Sequence, residues 1–222
     1  MKSASPSPRS ANRRGFAAFA AACLIGFGLA FAAGPARADA MVPVDALMAP
    51  GPLPDIPLGA QTAPVTIIEY ASMTCTHCAA FQKETWPKLK EKYVDAGKVR
   101  FILREFPLDS LATAAFMLAR CAGPEKRNAL VDLLYAQQKD WAFVDKPLDA
   151  LAATVKQAGV TQADFEKCLK DQDLLTKVNQ TRERAAMAFK VGATPTFFVN
   201  GRQMQGELPI EDFDKVIEPL LK

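Results

Sequence analysis

Two cysteines and a histidine stand together in the stretch Cys75-Thr76-His77-Cys78, and their types and spacing could carry chemistry. The chain contains five cysteines and a single histidine. A C-x-x-C pair at a strand-to-helix junction is typical of thiol–disulfide exchange, because a helix N-terminus stabilises the thiolate, the reactive form of cysteine. Residues 65–70, which have little polarity on either face, predict a buried strand directly before the pair, and a helix is predicted to open at Cys75. We therefore expect a redox-active dithiol.

Three other uses of the pair can be weighed. A structural disulfide is one of them. A metal site would need four ligands, whereas two cysteines and one histidine stand here, so no metal is expected. Covalent haem needs histidine directly after the second cysteine, where this chain has Ala79. A redox pair without a cofactor is the interpretation that we adopt.

The first forty residues predict a signal peptide. Basic residues at the start precede an apolar run over residues 16–33, and Ala38-Asp39-Ala40 supplies the small residues of a cleavage site. Cleavage is expected after Ala40, with a second candidate site two residues earlier. A membrane anchor is the alternative, because the run approaches the roughly 18 residues that can span a bilayer. The adjacent Arg13 and Arg14 leave a twin-arginine export route open beside the general one.

Removal of the signal changes what the composition implies. Residues 41–222 amount to 182 residues, the size of one ordinary domain, with 22 basic and 23 acidic residues. Their net charge of −1 and the lack of a basic block argue against nucleic acid as a partner. An exported protein can keep disulfides, and four cysteines remain, an even number.

The rest of the chain predicts an α/β order of elements. The proline-rich residues 41–64 predict an extended lead-in laid over the domain. The first helix is expected to reach about Ala96 with a kink at Pro87, and residues 98–104 alternate as a second strand. Residues from about 110 to 190 have a helical pattern. The expected elements that follow the second strand are helices over 111–122, 125–141, 147–158, one opening at Thr161, one over 174–189, a hairpin at Thr196–Val199 with Asn200-Gly201, and a last helix over 210–221.

That order, with the C-x-H-C pair opening the first helix, resembles the thioredoxin fold and more closely the DsbA family of exported thiol–disulfide oxidoreductases. Glu69 lies six residues before Cys75, where this fold keeps a buried acid. Thr194-Pro195 precedes the late hairpin, where the fold carries a cis-proline beside the active site. Residues 104–109 are also typical of DsbA-like sequences. The resemblance covers residues 58–222 and implies a thioredoxin domain over residues 65–222, with an inserted α-helical subdomain at about 110–190.

The resemblance implies a role for each site residue. Cys75, with its sulfur facing solvent, is expected to attack and to leave, and Cys78 is its partly buried partner. His77 is expected to lower the pKa of Cys75 through a hydrogen bond or a positive charge. Glu69 is expected to accept the proton of Cys78, with a salt-bridged strand residue as the alternative. The backbone before Pro195 is expected to pair with an extended substrate.

Cys121 and Cys168 both lie in the predicted helical block among apolar neighbours. Buried cysteines are often free. In an exported protein two such cysteines more often pair, however, and some DsbA-like proteins carry an extra disulfide in the helical block. We therefore expect a structural Cys121–Cys168 disulfide.

The implied function is that of a periplasmic dithiol oxidase. It would donate the Cys75–Cys78 disulfide to newly translocated proteins that are still reduced and unfolded. An inner-membrane, quinone-linked protein is expected to reoxidise it, and the chain is expected to be a monomer. A reductase or isomerase of the same fold is the alternative, because Thr194 before the proline is typical of isomerases whereas many oxidases have valine. A redox-inert binding module or chaperone is disfavoured by the intact C-x-H-C.

Overall fold

A four-stranded mixed sheet lies at the centre of the computed structural model, which describes residues 41–222. Its strands are β1 (Val65–Ala71), β2 (Val99–Glu105), β3 (Thr196–Val199) and β4 (Arg202–Gln205), in the spatial order β2-β1-β3-β4. β1 and β2 run parallel, whereas β3 is antiparallel to both β1 and β4. β1 is therefore an interior strand. The predicted signal peptide, residues 1–40, lies outside the described residues.

Apolar side chains cover both faces of the two central strands. Ile67 of β1 and Phe197 of β3 belong to the larger core, and the adjacent Ile68 and Phe198 belong to a second core on the other face. Neighbouring residues of a strand point to opposite faces, so a strand that is apolar throughout must be buried on both sides. This explains why residues 65–70 lack a polar face.

Ten helices surround the sheet in the described part of the chain. Six of them, α4 to α9, fall between β2 and β3, which confirms the predicted α/β thioredoxin fold with a helical insertion. The helices are α1 (Val44–Met48), α2 (Thr76–Glu84), α3 (Trp86–Leu89), α4 (Ser110–Cys121), α5 (Pro124–Ala136), α6 (Gln138–Trp141), α7 (Pro147–Lys156), α8 (Gln162–Leu169), α9 (Gln172–Ala188) and α10 (Ile210–Leu220).

The segment from Cys75 to about Ala96, predicted as one helix kinked at Pro87, is helical as far as Val94 and is interrupted next to the proline. α2 ends at Glu84 with Thr85 as its C-cap, α3 begins at Trp86, and a π-helical turn over Lys90–Val94 completes the segment. Pro87 stands at the second position of α3. Proline has no backbone N–H and is best tolerated in the first turn of a helix, so the regular helix is interrupted at Thr85, whose backbone angles stay in the helical region.

A second predicted helix, over residues 125–141, is also divided. α5 and α6 are separated at Gln137, whose φ of −105° and ψ of 18° are not helical. The break turns Gln138 inward, where it is only 2% exposed. A helix pattern in the sequence does not reveal such a single-residue interruption, because both segments keep their apolar spacing.

The lead-in is not extended throughout, since α1 lies within it. Isolated β-bridges join Met41 to Arg202 and Leu58 to Phe101, so the lead-in pairs with residues of both edge strands, β4 and β2. Arg184 of α9 donates hydrogen bonds to the carbonyls of Ala46, Ala49 and Pro50. These contacts hold the segment against the domain, and they cover part of each sheet edge.

A buried ionic cluster joins the sheet to the helical insertion. Glu105 at the end of β2 is fully buried and accepts hydrogen bonds from Arg120 of α4 and Arg127 of α5. Burial by itself would raise the pKa of Glu105, but the two guanidinium groups lower it to about 2. Arg127 also donates to the carbonyl of Leu103. The cluster therefore fixes α4 and α5 against β2.

None of the helices within residues 41–222 combines the length and apolar character that crossing a membrane requires.

Candidate active site

Cys75 lies between the end of β1 and the first turn of α2, at the N-cap of that helix. Its sulfur accepts the backbone N–H of Cys78 at 3.4 Å. N-cap side chains meet the unpaired amides of the first helical turn, which carry the positive end of the helix dipole. The sequence therefore places a cysteine sulfur where negative charge is favoured.

The loop before Cys75 is held by side chains of the helical insertion. Buried Gln138 donates from Nε2 to the carbonyls of Met73 at 2.8 Å and of Cys75 at 2.9 Å. The Tyr135 hydroxyl donates to the carbonyl of Ser72 at 3.2 Å. Sequence reasoning missed both residues, because a glutamine and a tyrosine in a helical stretch carry no local signal of a contact more than sixty residues away. The insertion therefore supports the redox loop directly.

Both cysteines of the pair are reduced and largely buried. Cys75 is 7% exposed and Cys78 is 1% exposed. The sulfur of Cys75 is therefore less exposed to solvent than expected. The thiol donates to the carbonyl of Thr194 at 3.3 Å, and the loop before Pro195 lies against it. Of the two, Cys75 is still the more accessible to another protein.

The environments of the two thiols shift their pKa values in opposite directions. The pKa of Cys75 is lowered to about 5, first by the hydrogen bond from the Cys78 thiol, then by the Thr194 hydroxyl and the N–H groups of Cys78 and His77, which together outweigh burial. Burial raises the pKa of Cys78 well above its usual value, and the charges of Glu69 and Cys75 add to this. At neutral pH the reduced pair is therefore a thiolate beside a thiol.

His77 does not interact with Cys75 in the expected way. Its ring is 69% exposed, and its Nδ1 lies 3.2 Å from Oε2 of Glu207. Within residues 41–222 no hydrogen bond joins the ring to the Cys75 sulfur, and His77 contributes to the lowered pKa of Cys75 through its backbone N–H. Helix geometry explains this, because that amide belongs to the first turn of α2. Glu207 was not anticipated from the sequence.

Glu69 lies in the middle of β1, between Leu103 of β2 and Phe197 of β3, and is 1% exposed. Its Oε2 has no hydrogen-bond partner, and no cation lies within ion-pair distance of it among the described residues. Burial raises the pKa of Glu69 to about 8, and the charge of Cys75 adds to this shift. The carboxyl is therefore mainly protonated at neutral pH and can exchange a proton with its surroundings.

The loop before β3 completes the site. The Thr194–Pro195 peptide bond is cis, and the carbonyl of Pro195 accepts the N–H of Gly206 at 2.9 Å. Thr194 Oγ1 is buried without a hydrogen-bond partner. The hydroxyl contributes to lowering the pKa of Cys75. It is therefore available to donate a hydrogen bond to the thiolate. The loop therefore contacts the sulfur through the backbone carbonyl of Thr194.

A groove of roughly 1000 Å³ opens beside His77, between α2 and the α5–α6 segment. Small residues, Ala79, Ala80 and Ala136, line it together with Tyr135. A space of this size next to a redox pair is wide enough for a polypeptide segment.

The other two cysteines of the described residues form a disulfide. Cys121 ends α4 and Cys168 lies in α8, and their Cα atoms are 6.1 Å apart. The bond links two helices of the insertion across a sequence separation of 47 residues. No group of three or more histidine, cysteine or carboxylate side chains suited to a metal ion occurs within residues 41–222.

The arrangement can perform thiol–disulfide exchange. A sulfur with a lowered pKa at a helix N-terminus lies one helical turn from a second thiol, near a buried carboxyl and across from a loop backbone. Such a pair can form a disulfide and return to the dithiol.

Comparison with known proteins agrees with this chemistry. A family model described as Thioredoxin matches residues 53–219. A Rickettsia bellii protein named as a protein-disulfide oxidoreductase is 34% identical over 152 residues, which are 68% of this chain and 59% of that protein. The chain thus spans about three fifths of the length of that relative. Disulfide bond formation protein D of Bacillus cereus is 30% identical over 176 residues, covering 74% of this chain and 78% of that one.

A solved structure leads to the same family. The crystal structure of Wolbachia pipientis alpha-DsbA1 superimposes with a TM-score of 0.71 at 31% identity, over 77% of this chain and 93% of that one. The residues matched by the family model include the whole sheet, the C-x-H-C pair and the helical insertion. The chain belongs to the DsbA family of thiol–disulfide oxidoreductases.

Proposed function

We propose that this protein is an exported dithiol oxidase that donates its Cys75–Cys78 disulfide to newly translocated proteins. The observation that carries the proposal is the opposite shift of the two pKa values, to about 5 for Cys75 and well above the usual value for Cys78. Stabilising the Cys75 thiolate stabilises the reduced protein. The disulfide is then correspondingly easy to reduce and oxidises other dithiols.

The first step would be attack on the more accessible sulfur. A substrate thiolate bonds to Cys75 Sγ, the Cys75–Cys78 bond breaks, and its electron pair leaves on Cys78. A thiolate at Cys78 is unfavourable because the site is buried, so it takes up a proton. Glu69, which is mostly protonated at neutral pH and acts electrostatically on Cys78, is the buried group that can supply this proton and accept it again on reoxidation.

The second step would release the oxidised substrate. A second substrate thiolate attacks the substrate sulfur of the mixed disulfide, and Cys75 leaves as a thiolate. The substrate has then lost two electrons and gained a disulfide, and the protein has gained both electrons. Cys75 is a good leaving group because its pKa is low. The backbone N–H of Cys78, 3.4 Å from the sulfur, would stabilise the departing charge.

The loop at Thr194 and Pro195 would hold the substrate main chain. In the reduced protein the carbonyl of Thr194 lies 3.3 Å from the sulfur of Cys75. An extended polypeptide would pair with this backbone, and such pairing does not depend on particular side chains. This suits an enzyme that acts on many reduced, unfolded proteins.

The proposed setting is the periplasm. Residues 1–40 would act as the signal peptide, residues 41–64 as the lead-in, and residues 65–222 as the catalytic domain, which would work as a monomer. The reduced form would return its two electrons to an inner-membrane, quinone-linked protein. The even number of cysteines in the exported part and the Cys121–Cys168 disulfide support an oxidising compartment.

Two measurements on the purified protein test this function. Equilibration with glutathione gives the reduction potential, and a value well above the roughly −270 mV of a reducing thioredoxin is expected. Refolding of a reduced substrate should be accelerated by the oxidised protein. A potential near that of thioredoxin would show that the oxidase proposal is wrong.

Thr194 favours a second candidate, a disulfide isomerase or reductase of the same fold. Its buried, unpartnered hydroxyl lies at the reactive sulfur, where valine would offer no hydrogen bond. Refolding of a scrambled substrate separates the two functions. Recovery of native disulfides without an added isomerase would favour this second candidate, whereas failure on scrambled substrate with success on reduced substrate supports the oxidase.

A further inference from the structure

Glu207 is the acidic residue that contacts the imidazole of the C-x-H-C motif. Its Oε2 lies 3.2 Å from Nδ1 of His77, and the two side chains are 41% and 69% exposed. The residue belongs to the segment between β4 and α10. No feature of the local sequence marks it as part of the site, because 130 residues separate it from His77.

The segment that carries Glu207 is held on both sides. Before it, the N–H of Gly206 donates to the carbonyl of Pro195 at 2.9 Å. After it, the carbonyl of Leu208 accepts the hydroxyl of Thr85, at the end of α2, at 2.8 Å. Glu207 is therefore positioned relative to both the cis-proline loop and the helix that carries His77. Its contact with the ring is a consequence of this double attachment.

The chemistry of the contact determines which ring nitrogen carries a proton. A carboxylate can only accept hydrogen bonds, so the Nδ1 that faces Glu207 must be the N–H nitrogen. In a neutral imidazole Nε2 is then an acceptor and has no proton to offer to a thiolate. In a protonated imidazole the nearby carboxylate offsets the positive charge. Either way, Glu207 reduces what His77 can contribute to the Cys75 thiolate.

Other charged groups face the same groove. Lys83 and Glu84 stand on the helix of His77, Asp132 on α5, and Lys139 and Asp140 on α6. Lys83 pairs with Glu84 at 3.5 Å, and Asp132 accepts a hydrogen bond from Gln82. Within residues 41–222, Glu207 is the one among these charged groups that makes an ion pair with the ring.

We infer that Glu207 is a positioning residue for His77: it holds the imidazole with its proton on Nδ1 and directed away from Cys75, and it thereby moderates the oxidising strength of the Cys75–Cys78 pair. The inference rests on the proposed function and deepens it, because it assigns a residue that sets how far the redox equilibrium lies toward oxidation of the substrate.

The tautomer can be read directly, since the chain has one histidine. Long-range ¹H–¹⁵N correlation spectra of untagged protein should show the ring proton on Nδ1 in the neutral wild type. In Glu207→Ala the proton should move to Nε2. Glu84→Ala removes a carboxylate from the same groove and should leave the tautomer unchanged. A wild-type ring with its proton on Nε2 would overturn the inference.

The redox consequence is measured by equilibration with glutathione. Glu207→Ala should shift the equilibrium constant about two- to fivefold toward reduced protein, the size expected of a partly exposed charge pair. In a His77→Ala background the same change should have little effect, because Glu207 then has no imidazole to act on. A contribution of Glu207 that was independent of His77 would instead be equal in the two backgrounds. An equal shift in both backgrounds would mean that Glu207 acts on Cys75 directly, and it would contradict the positioning role.

The two hypotheses fail in different ways. A wild-type protein that does not oxidise reduced substrates would contradict the proposed function, while the histidine spectra would still report on Glu207. A fully active wild type whose spectra and glutathione equilibrium are unchanged by Glu207→Ala would contradict the inference about Glu207 alone. Glu207→Gln, which keeps an acceptor oxygen without the charge, should retain the Nδ1 proton and show part of the redox shift.

Discussion

The backbone N–H of Cys78 donates to the sulfur of Cys75 at 3.4 Å, so the residue that supplies the second thiol also stabilises the first as a thiolate. The Cys78 thiol makes the largest contribution to the lowered pKa of Cys75. The spacing of two residues between the cysteines produces both contacts at once, because Cys78 occupies the first turn of the helix that Cys75 caps. Reactivity and disulfide formation therefore depend on the same turn of backbone.

The two cysteines should differ when replaced by serine. Cys75→Ser should abolish exchange, because the accessible nucleophile is lost, and Cys78→Ser should trap a mixed disulfide between Cys75 and substrate. Non-reducing electrophoresis after mixing with a reduced substrate checks this. Cys121→Ala/Cys168→Ala is the matched control, which should leave exchange intact. Trapping by Cys75→Ser instead would mean that the assignment of the two roles is reversed.

Alkylation of Cys75 in the reduced protein should report its thiolate. The pKa of about 5 predicts a rate that is nearly constant above about pH 6 and falls tenfold per pH unit below the pKa. One proton then accompanies the two electrons near neutral pH, so the reduction potential should fall by about 30 mV per pH unit. The unfolded protein in denaturant is the control. A folded-state rate that still rises toward pH 9 would contradict the lowered pKa.

Replacing Glu69 by Gln should stabilise the reduced protein at pH 8. A carboxyl whose folded-state pKa is raised from 4.5 to about 8 contributes stability below pH 4.5 and loses it as the pH rises through 8. The substitution should therefore raise the free energy of unfolding at pH 8 by roughly 2–4 kcal/mol and change little at pH 4. Urea unfolding at both pH values measures this.

The same substitution should slow reoxidation of the reduced protein by about tenfold or more, because Cys78 would lose its proton acceptor. Glu91→Gln, on the exposed π-helical turn, is the control and should change neither stability nor rate. Unchanged reoxidation in Glu69→Gln would remove Glu69 from the mechanism.

Glu105→Gln should destabilise the protein by about 3–5 kcal/mol at neutral pH, because it leaves the buried Arg127 and the nearly buried Arg120 without a counter-charge. The pKa of Glu105 is lowered to about 2, so its stabilisation is complete above pH 4.5 and is lost as the pH falls toward 2. Urea unfolding from pH 7 to 3 follows both effects. Asp173→Asn, which breaks an exposed pair with Lys177, should cost less than about 1 kcal/mol.

Removal of the disulfide in the helical insertion should lower stability without affecting the redox pair. Cys121→Ala/Cys168→Ala opens a bond that spans 47 residues, which predicts a loss of about 2–4 kcal/mol in the free energy of unfolding. Neither cysteine contributes to the lowered pKa of Cys75, so the thiolate titration should not move. Thermal unfolding and alkylation of the same samples test both statements. A shifted titration would show coupling between the insertion and the pair.

Local patterns were sufficient for much of the fold. The apolar run before Cys75, the Asn200-Gly201 turn and the capping box at Thr161 each depend on residues close together in the chain. Their physics is local, since strand burial, a turn with positive φ at Asn200 and Gly201, and reciprocal side-chain hydrogen bonds involve only neighbouring residues. The interruption next to Pro87 also has a local cause, whereas the break at Gln137 was not predicted, because Gln138 beside it bonds to the distant carbonyls of Met73 and Cys75.

The sequence by itself determined the chemistry: two cysteines at the spacing of one helical turn, an acid in the preceding strand and a proline before the last hairpin. The tertiary structure decided how that chemistry is tuned. It buried Glu69 without a counter-ion, placed Thr194 against the Cys75 sulfur, and directed His77 to Glu207 instead of to the thiolate. These outcomes depend on contacts between residues more than 100 positions apart, which exist only after the sheet, the insertion and the loop before α10 have packed together.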